Sequence, residues 1–261
     1  VEVATVKNCG KKLLATPRIV GGKTAKFGDY PWMVSIQQKN KKGTFDHICG
    51  GAIINVNWIL TAAHCFDQPI VKSDYRAYVG LRSILHTKEN TVQRLELSKI
   101  VLHPGYKPKK DPDDIALIKV AKPIVIGNYA NGICVPKGVT NPEGNATVIG
   151  WGKISSGGKQ VNTLQEVTIP IIPWKKCKEI YGDEFSEFEY SQITPYMICA
   201  GAEGKDSCQA DSGGPLFQID ANGVATLIGT VANGADCGYK HYPGVYMKVS
   251  SYTNWMSKNM V

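Results

Sequence analysis

Apolar and polar positions along this chain fall into short runs separated by Gly, Pro and Asn clusters, without the sustained three-to-four-residue rhythm of amphipathic helices. Runs rich in Val, Ile, Tyr and Thr recur at Trp32 to Gln37, Gly51 to Ile54, Tyr75 to Val79, Ile115 to Val120, Ala146 to Ile149, Val224 to Val231 and Gly244 to Val249. β-Branched and aromatic side chains pack well on a pleated surface, and turn residues at this spacing predict an all-β protein of sandwich or barrel type. Helix is predicted at two places. One surrounds Trp174 to Tyr181; the other is the tail, where Ser250 or Ser251 caps a segment whose Tyr252, Trp255 and Met256 fall at spacings of three and four. The expected internal boundary lies near Lys122 to Tyr129.

With 261 residues the chain suffices for one large β domain or two small ones, either of which can bury a core. Apolar residues make up 43% and charged residues 20%, ordinary globular usage. No apolar stretch approaches the roughly 18 residues of a membrane span, so a soluble protein with no membrane partner is expected. Val1 to Lys12 lack the basic-then-apolar order of a secretion signal, so such a signal is expected to have been removed already.

Eight cysteines without CxxC spacing suit disulfides better than a metal site and point to an oxidising compartment. The sequon at Asn145 is compatible with glycosylation there. The net charge of +8 concentrates in Lys39, Lys41 and Lys42 and again in Lys107, Lys109 and Lys110. These runs read either as solvated loops or as a surface for a heparin-like polyanion. They lack the interleaved aromatics of a single-strand nucleic-acid surface, which argues against nucleic acid as a partner.

Three words carry chemistry. Thr61-Ala62-Ala63-His64-Cys65 follows an apolar stretch, Asp113-Asp114-Ile115-Ala116-Leu117 opens a strand, and Asp211-Ser212-Gly213-Gly214-Pro215 sets a hydroxyl in a glycine-rich turn. Taken singly, the histidine and the aspartate read as structural residues. Together they supply what a weak serine nucleophile needs: a base to take its proton and a carboxylate to hold that base in the right tautomer. The order His64, Asp114, Ser212 with these flanking words resembles the trypsin and chymotrypsin family of serine proteases. The likeness runs from Ile19 to about Trp255 and includes Gly150-Trp151-Gly152 and Pro243-Gly244-Val245-Tyr246. An arthropod- or venom-type member is among the forms it allows.

The resemblance implies two packed antiparallel six-stranded β-barrels with a short C-terminal helix. It divides the chain into a pro-segment, 1–18, and a peptidase domain, 19–261, with barrels at about 19–127 and 128–261. It implies the pairs Cys9–Cys134, Cys49–Cys65, Cys177–Cys199 and Cys208–Cys237, which leaves no cysteine for a metal; no cofactor and no metal are expected. A family calcium loop is not expected either, because Leu81 stands where its first acidic ligand would be. Cleavage between Arg18 and Ile19 by an activating protease would free an amine that pairs with Asp211, shaping the pocket and the oxyanion hole. The precursor would be largely inactive, and the Cys9–Cys134 bridge would keep the pro-segment attached. Asp206 would lie at the bottom of the primary pocket, with Gly234 and Gly244 keeping its walls open, so the expected substrates are proteins or peptides with Arg or Lys at the cleaved position. A secreted monomer is expected.

Three positions depart from the family pattern. Ala210 stands where a glycine supplies one of two oxyanion N–H donors, Ser212 supplying the other. Ala232 replaces a serine behind Asp114, and Asn233 replaces a tryptophan that walls the outer subsites. Two readings therefore stay open from sequence: an active endopeptidase of narrow specificity, and a catalytically weak homologue that serves as a binding or decoy protein.

Overall fold

The computed structural model describes residues 2–13, 23–66, 68–108, 113–152, 161–182, 193–201, 211–232 and 242–261. Strands dominate. Six of them close a first barrel in the order β2 (Met33–Lys39), β3 (Phe45–Asn55), β4 (Trp58–Thr61), β7 (Ala116–Val120), β6 (Gln93–Leu102) and β5 (Tyr75–Val79), with β5 pairing back to β2. A second barrel runs β8 (Asn145–Gly150), β9 (Gln165–Ile172), β10 (Met197–Ala200), β13 (Gly244–Lys248), β12 (Ala225–Val231) and β11 (Pro215–Ile219), closed by the β11–β8 pairing. The short β1 (Lys23–Thr24) adds to β9 at Gln165 and Glu166. All strand pairs are antiparallel, and closure removes the unpaired edges that would otherwise template aggregation.

Burial explains the closure. Val34, Ile36, Ile53, Ile59, Ala77, Val79 and Ile118 form one apolar cluster inside the first barrel, and Val148, Ile169, Leu216, Ile228 and Tyr246 form another in the second. A third cluster takes residues from both halves, among them Trp32, Leu60, Leu117, Ile149, Trp151 and Phe217. Each large side chain withdrawn from water contributes about 1.5–3 kcal/mol, so this shared cluster presses the barrels together along a common face.

Two α-helices are described, α1 (Trp174–Tyr181) and α2 (Thr253–Asn259). α1 buries Cys177 and Tyr181, one turn apart, and ends at Gly182, whose positive φ of 55° suits a helix stop. The tail helix is capped differently from the sequence reading. Val249–Ser251 form a 3-10 turn, and the N-cap of α2 is Tyr252, with no side-chain cap bond. Burial of Tyr252 and Met256 sets this helix start, overriding the capping preference of the serines.

Residues 2–13 are built into the body. Val3 is buried, Cys9 is bonded to Cys134, and Asn131 Nδ2 donates to Asn8 O and Lys11 O. Gly10 bonds through its N–H to Gly132 O and through its O to Ala225 N–H; a Cβ at Gly10 would come 2.1 Å from Ala225 O. Lys12 Nζ lies 2.9 Å from Asp29 Oδ1. The bridges Cys49–Cys65 and Cys177–Cys199 are formed as the resemblance implied; Cys208 and Cys237 lie outside the described residues.

Candidate active site

β4 ends at Thr61, whose hydroxyl donates to Gly50 O on the neighbouring strand at 2.8 Å. The chain then makes one 3-10 turn, Ala63–Cys65, pinned by the Cys49–Cys65 bridge to β3. This turn aims His64 at the strand entry carrying Asp114. The His64 main-chain N–H donates to Asp114 Oδ1 at 2.9 Å, and His64 Nδ1 lies 2.6 Å from Oδ2. A carboxylate only accepts, so Nδ1 carries a proton, and in the neutral ring Nε2 holds the lone pair. The His64 side chain is 18% exposed and that of Asp114 3%. His64 therefore keeps some exposure to solvent while Asp114 stays in the interior.

Ser212 comes from the second barrel, in the turn that leads into β11. Gly214 N–H donates to Asp211 O at 2.7 Å, closing the turn, and Gly213 takes a φ of +76°. A Cβ on Gly213 would meet Thr61 Oγ1 at 2.2 Å, so only glycine lets this turn approach the first barrel so closely. Gly50 N–H donates to Ser212 O at 2.8 Å, and the disulfide sulfur of Cys65 lies 3.8 Å from the same oxygen. His64 and the half-buried Ser212 thus share one wall, the Cys49–Cys65 bridge.

Asp211 is the neighbour with the unexpected partner. Its Oδ2 accepts the Trp151 N–H at 2.8 Å, and its Oδ1 faces His47 Nε2 at 3.2 Å, a distance suited to an ion pair although the two are not aligned as a hydrogen bond. His47 Nδ1 in turn meets Ser35 Oγ at 2.8 Å, and its ring packs edge-on against Trp151. The His47 and Asp211 side chains are 3% and 4% exposed. The sequence reading assigned Asp211 to the amine of residue 19 and missed both Ser35 and His47. No local word marks them, because register alone brings β2 and β3 beside the serine turn.

The remaining site residues divide. Ala232 is buried at the end of β12, where its N–H donates to Val245 O, and Gly244 opens β13 opposite Ala200. Gly213 N–H donates to Val231 O, which joins the serine turn to the end of β12 next to Ala232. The Asp114 carboxylate takes its hydrogen bonds from His64, with Ala232 offering no hydroxyl. Arg18, Ile19, Asp206, Ala210, Asn233 and Gly234 lie outside the described residues, as do Lys109 and Lys110. Lys39, Lys41 and Lys42 are exposed at the β2–β3 hairpin, and Asn145 is exposed at the start of β8. Leu81 is buried, held by apolar packing.

Cys49, His64 and Cys65 bring metal-ligand atom types within 4.8 Å of one another, but both sulfurs are committed to their disulfide and offer no thiolate. No helix among the described residues is long and apolar enough to cross a membrane.

Comparison with known proteins agrees with this geometry. The family model described as Trypsin matches residues 19–256. U21-ctenitoxin-Pn1a of Phoneutria nigriventer is 59% identical over 245 residues, covering 93% of this chain and 100% of that protein. Serine proteinase stubble of Drosophila melanogaster is 38% identical over 269 residues, covering 98% of this chain, which spans 33% of that longer protein.

Proposed function

The chain belongs to the trypsin family of serine proteases, and from that membership we propose that it is a secreted endopeptidase precursor, activated by cleavage between Arg18 and Ile19 and hydrolysing peptide bonds after Arg or Lys. The observation that carries the reading is the His64–Asp114 pair, proton on Nδ1 and lone pair on Nε2, built against the same disulfide as Ser212. His64 takes the Ser212 proton as the hydroxyl attacks the scissile carbonyl, then returns it to the leaving amine; water repeats the cycle and releases the acyl group. Asp114 holds the imidazole and stabilises its charged form. The N–H groups of Ala210 and Ser212 serve as the oxyanion hole, worth about a hundredfold or more in rate per donor. Asp206 receives the substrate cation between Gly234 and Gly244.

The Asp211 contacts support the precursor half of the proposal. With Ile19 in amide linkage no ammonium exists for Asp211, and a buried carboxylate is costly without a partner; His47 and the Trp151 N–H fill that role. Cleavage supplies a better cation, the new amine, and the serine turn reorganises as His47 is displaced. The activator is a protease that itself cuts after Arg. Residues 2–13, held by Cys9–Cys134 and the Lys12–Asp29 pair, remain attached. The disulfides formed support an oxidising, extracellular destination, and the exposure of Asn145 supports its use for glycosylation. The exposed lysines of the β2–β3 hairpin read as a solvated loop, with a polyanion surface as the alternative, and the protein acts as a monomer.

A serine-directed fluorophosphonate applied after cleavage at Arg18 tests the reading. Labelling of Ser212 with turnover of Arg or Lys esters is expected; correctly cleaved protein that takes no label would leave the binding or decoy role that Ala210, Ala232 and Asn233 suggest.

A further inference from the structure

Behind Asp114 lies a second polar group that the proposed chemistry does not use. Asp113 Oδ1 accepts the Tyr252 hydroxyl at 2.9 Å, and Asp113 Oδ2 stands 3.6 Å from His103 Nδ1. A Cβ on Gly105 would come 2.1 Å from that Oδ2, so the carboxylate is seated tightly against the His103–Gly105 turn. Gly105 N–H donates to His103 Nδ1 at 3.2 Å. A main-chain N–H can only donate, so Nδ1 is an acceptor and His103 sits here as the neutral ring with its proton on Nε2. The rings of Tyr252 and Trp255 pack edge-on against it. Burial outweighs the pull of Asp113 and lowers the His103 pKa, and burial, Asp113 and Asp114 together raise that of Tyr252, so both groups hold their neutral forms near neutral pH. Among the described residues, Asp113 and Tyr252 are the titratable groups against His103; Tyr252 also faces Asp114 and Tyr196.

This group joins the two halves of the molecule. Tyr252 opens α2 and contacts Met247 of β13 in the second barrel, whereas Asp113 belongs to the entry of β7 in the first. Ile115 N–H bonds to Asp113 O, and His103 N–H bonds to Ile115 O, so the peptide units flanking Asp114 are fixed on both sides. A buried residue between two such anchors has little freedom to turn its carboxylate. We propose that Asp113, held by the Tyr252 hydroxyl and by the His103–Gly105 turn, is a positioning residue that sets the Asp114 carboxylate for His64 and ties its placement to the second barrel, which carries Ser212. The proposal rests on Asp114 orienting His64.

Tyr252→Phe tests it while keeping the ring that fills the core. In the cleaved protein, with active sites counted by titration, kcat falls about tenfold while KM stays within about twofold, since misplacement acts on the chemical step. Asp113→Ala does the same, Asp113→Asn, which still accepts from Tyr252, recovers most of the rate, and the Tyr252→Phe/Asp113→Ala double variant is no slower than either alone. Independently of turnover, the low-field NMR proton between His64 Nδ1 and Asp114 moves upfield in Tyr252→Phe. Absence of turnover in the wild type, with that proton still displaced in Tyr252→Phe, would fail the protease reading and uphold this one. An unmoved proton, additive losses, or a kcat within about twofold of wild type would overturn it.

Discussion

Asp114 and Asp211 are both buried carboxylates faced by a histidine, yet the two pairs are built differently. Asp114 receives two hydrogen bonds from a single residue, His64, at 2.6 and 2.9 Å, and the turn that carries His64 is locked by a disulfide. Asp211 is shared between a main-chain N–H and His47, and the His47 contact at 3.2 Å lacks hydrogen-bond alignment. The first pair is made to keep its geometry. The second has the looser form expected of a partner that can be exchanged, and it lies one residue from Ser212. On the proposed activation, one fixed and one exchangeable carboxylate would let the precursor fold completely while withholding the last step of assembly.

The comparison breaks most visibly at Asp114. Asp114→Asn leaves the shape but reverses the hydrogen-bond roles, favouring the wrong tautomer of His64, and lowers kcat of the cleaved protein about 10⁴-fold on an Arg ester. A loss under tenfold would mean that the fixed pair does not serve the base. Next comes the turn between the two carboxylates: Gly213→Ala forces a side chain into φ +76° against Thr61 Oγ1, and denaturant unfolding should register a loss of about 1–3 kcal/mol from the backbone alone. His47→Phe strips the exchangeable partner from Asp211 and costs about 1–3 kcal/mol of precursor stability. The same change raises the activity of the uncleaved chain about tenfold, measured with Arg18 replaced to prevent cutting, because the buried Asp211 carboxylate loses the His47 contact that holds it in the precursor arrangement.

Smaller effects sharpen the picture at its margins. The His103 pKa is lowered by burial, so below its unfolded value of about 6.5 the unfolded chain binds more protons than the folded one, and stability falls as pH drops toward the folded pKa. Thermal melts of wild type and His103→Asn should converge on acidification, the variant lacking that decline. Smallest is Lys12→Ala: its partly exposed pair with Asp29 contributes about 0.2–1 kcal/mol, and esterase activity of the cleaved protein should not change.

The sequence made some of this legible and hid the rest for physical reasons. Runs such as Tyr75 to Val79 became strands because they are buried and β-branched or aromatic. β4, β6, β9, β10 and β11 escaped notice. Gln93–Leu102 alternates buried Leu95 and Leu97 with exposed polar residues, a period-two signal without an apolar run, and Gln165–Ile172 contains Pro170, which reads as a strand breaker. His64, Asp114 and Ser212 announced themselves through flanking words, since short turns need particular small neighbours. His47, Ser35, Asp113 and Tyr252 carry no such words. Ser35–His47, Asp113–Tyr252 and His47–Asp211 span 12, 139 and 164 positions in sequence, and the register of β2 on β3 and the docking of α2 bring them together.

The proposed exchange of partners at Asp211 is open to direct observation in a crystal structure of the protein cleaved after Arg18. The residue 19 amine should stand about 3 Å from an Asp211 carboxylate oxygen, with His47 withdrawn from that carboxylate. An amine left in solvent and His47 still on Asp211, in protein that hydrolyses peptides at full rate, would contradict the mechanism.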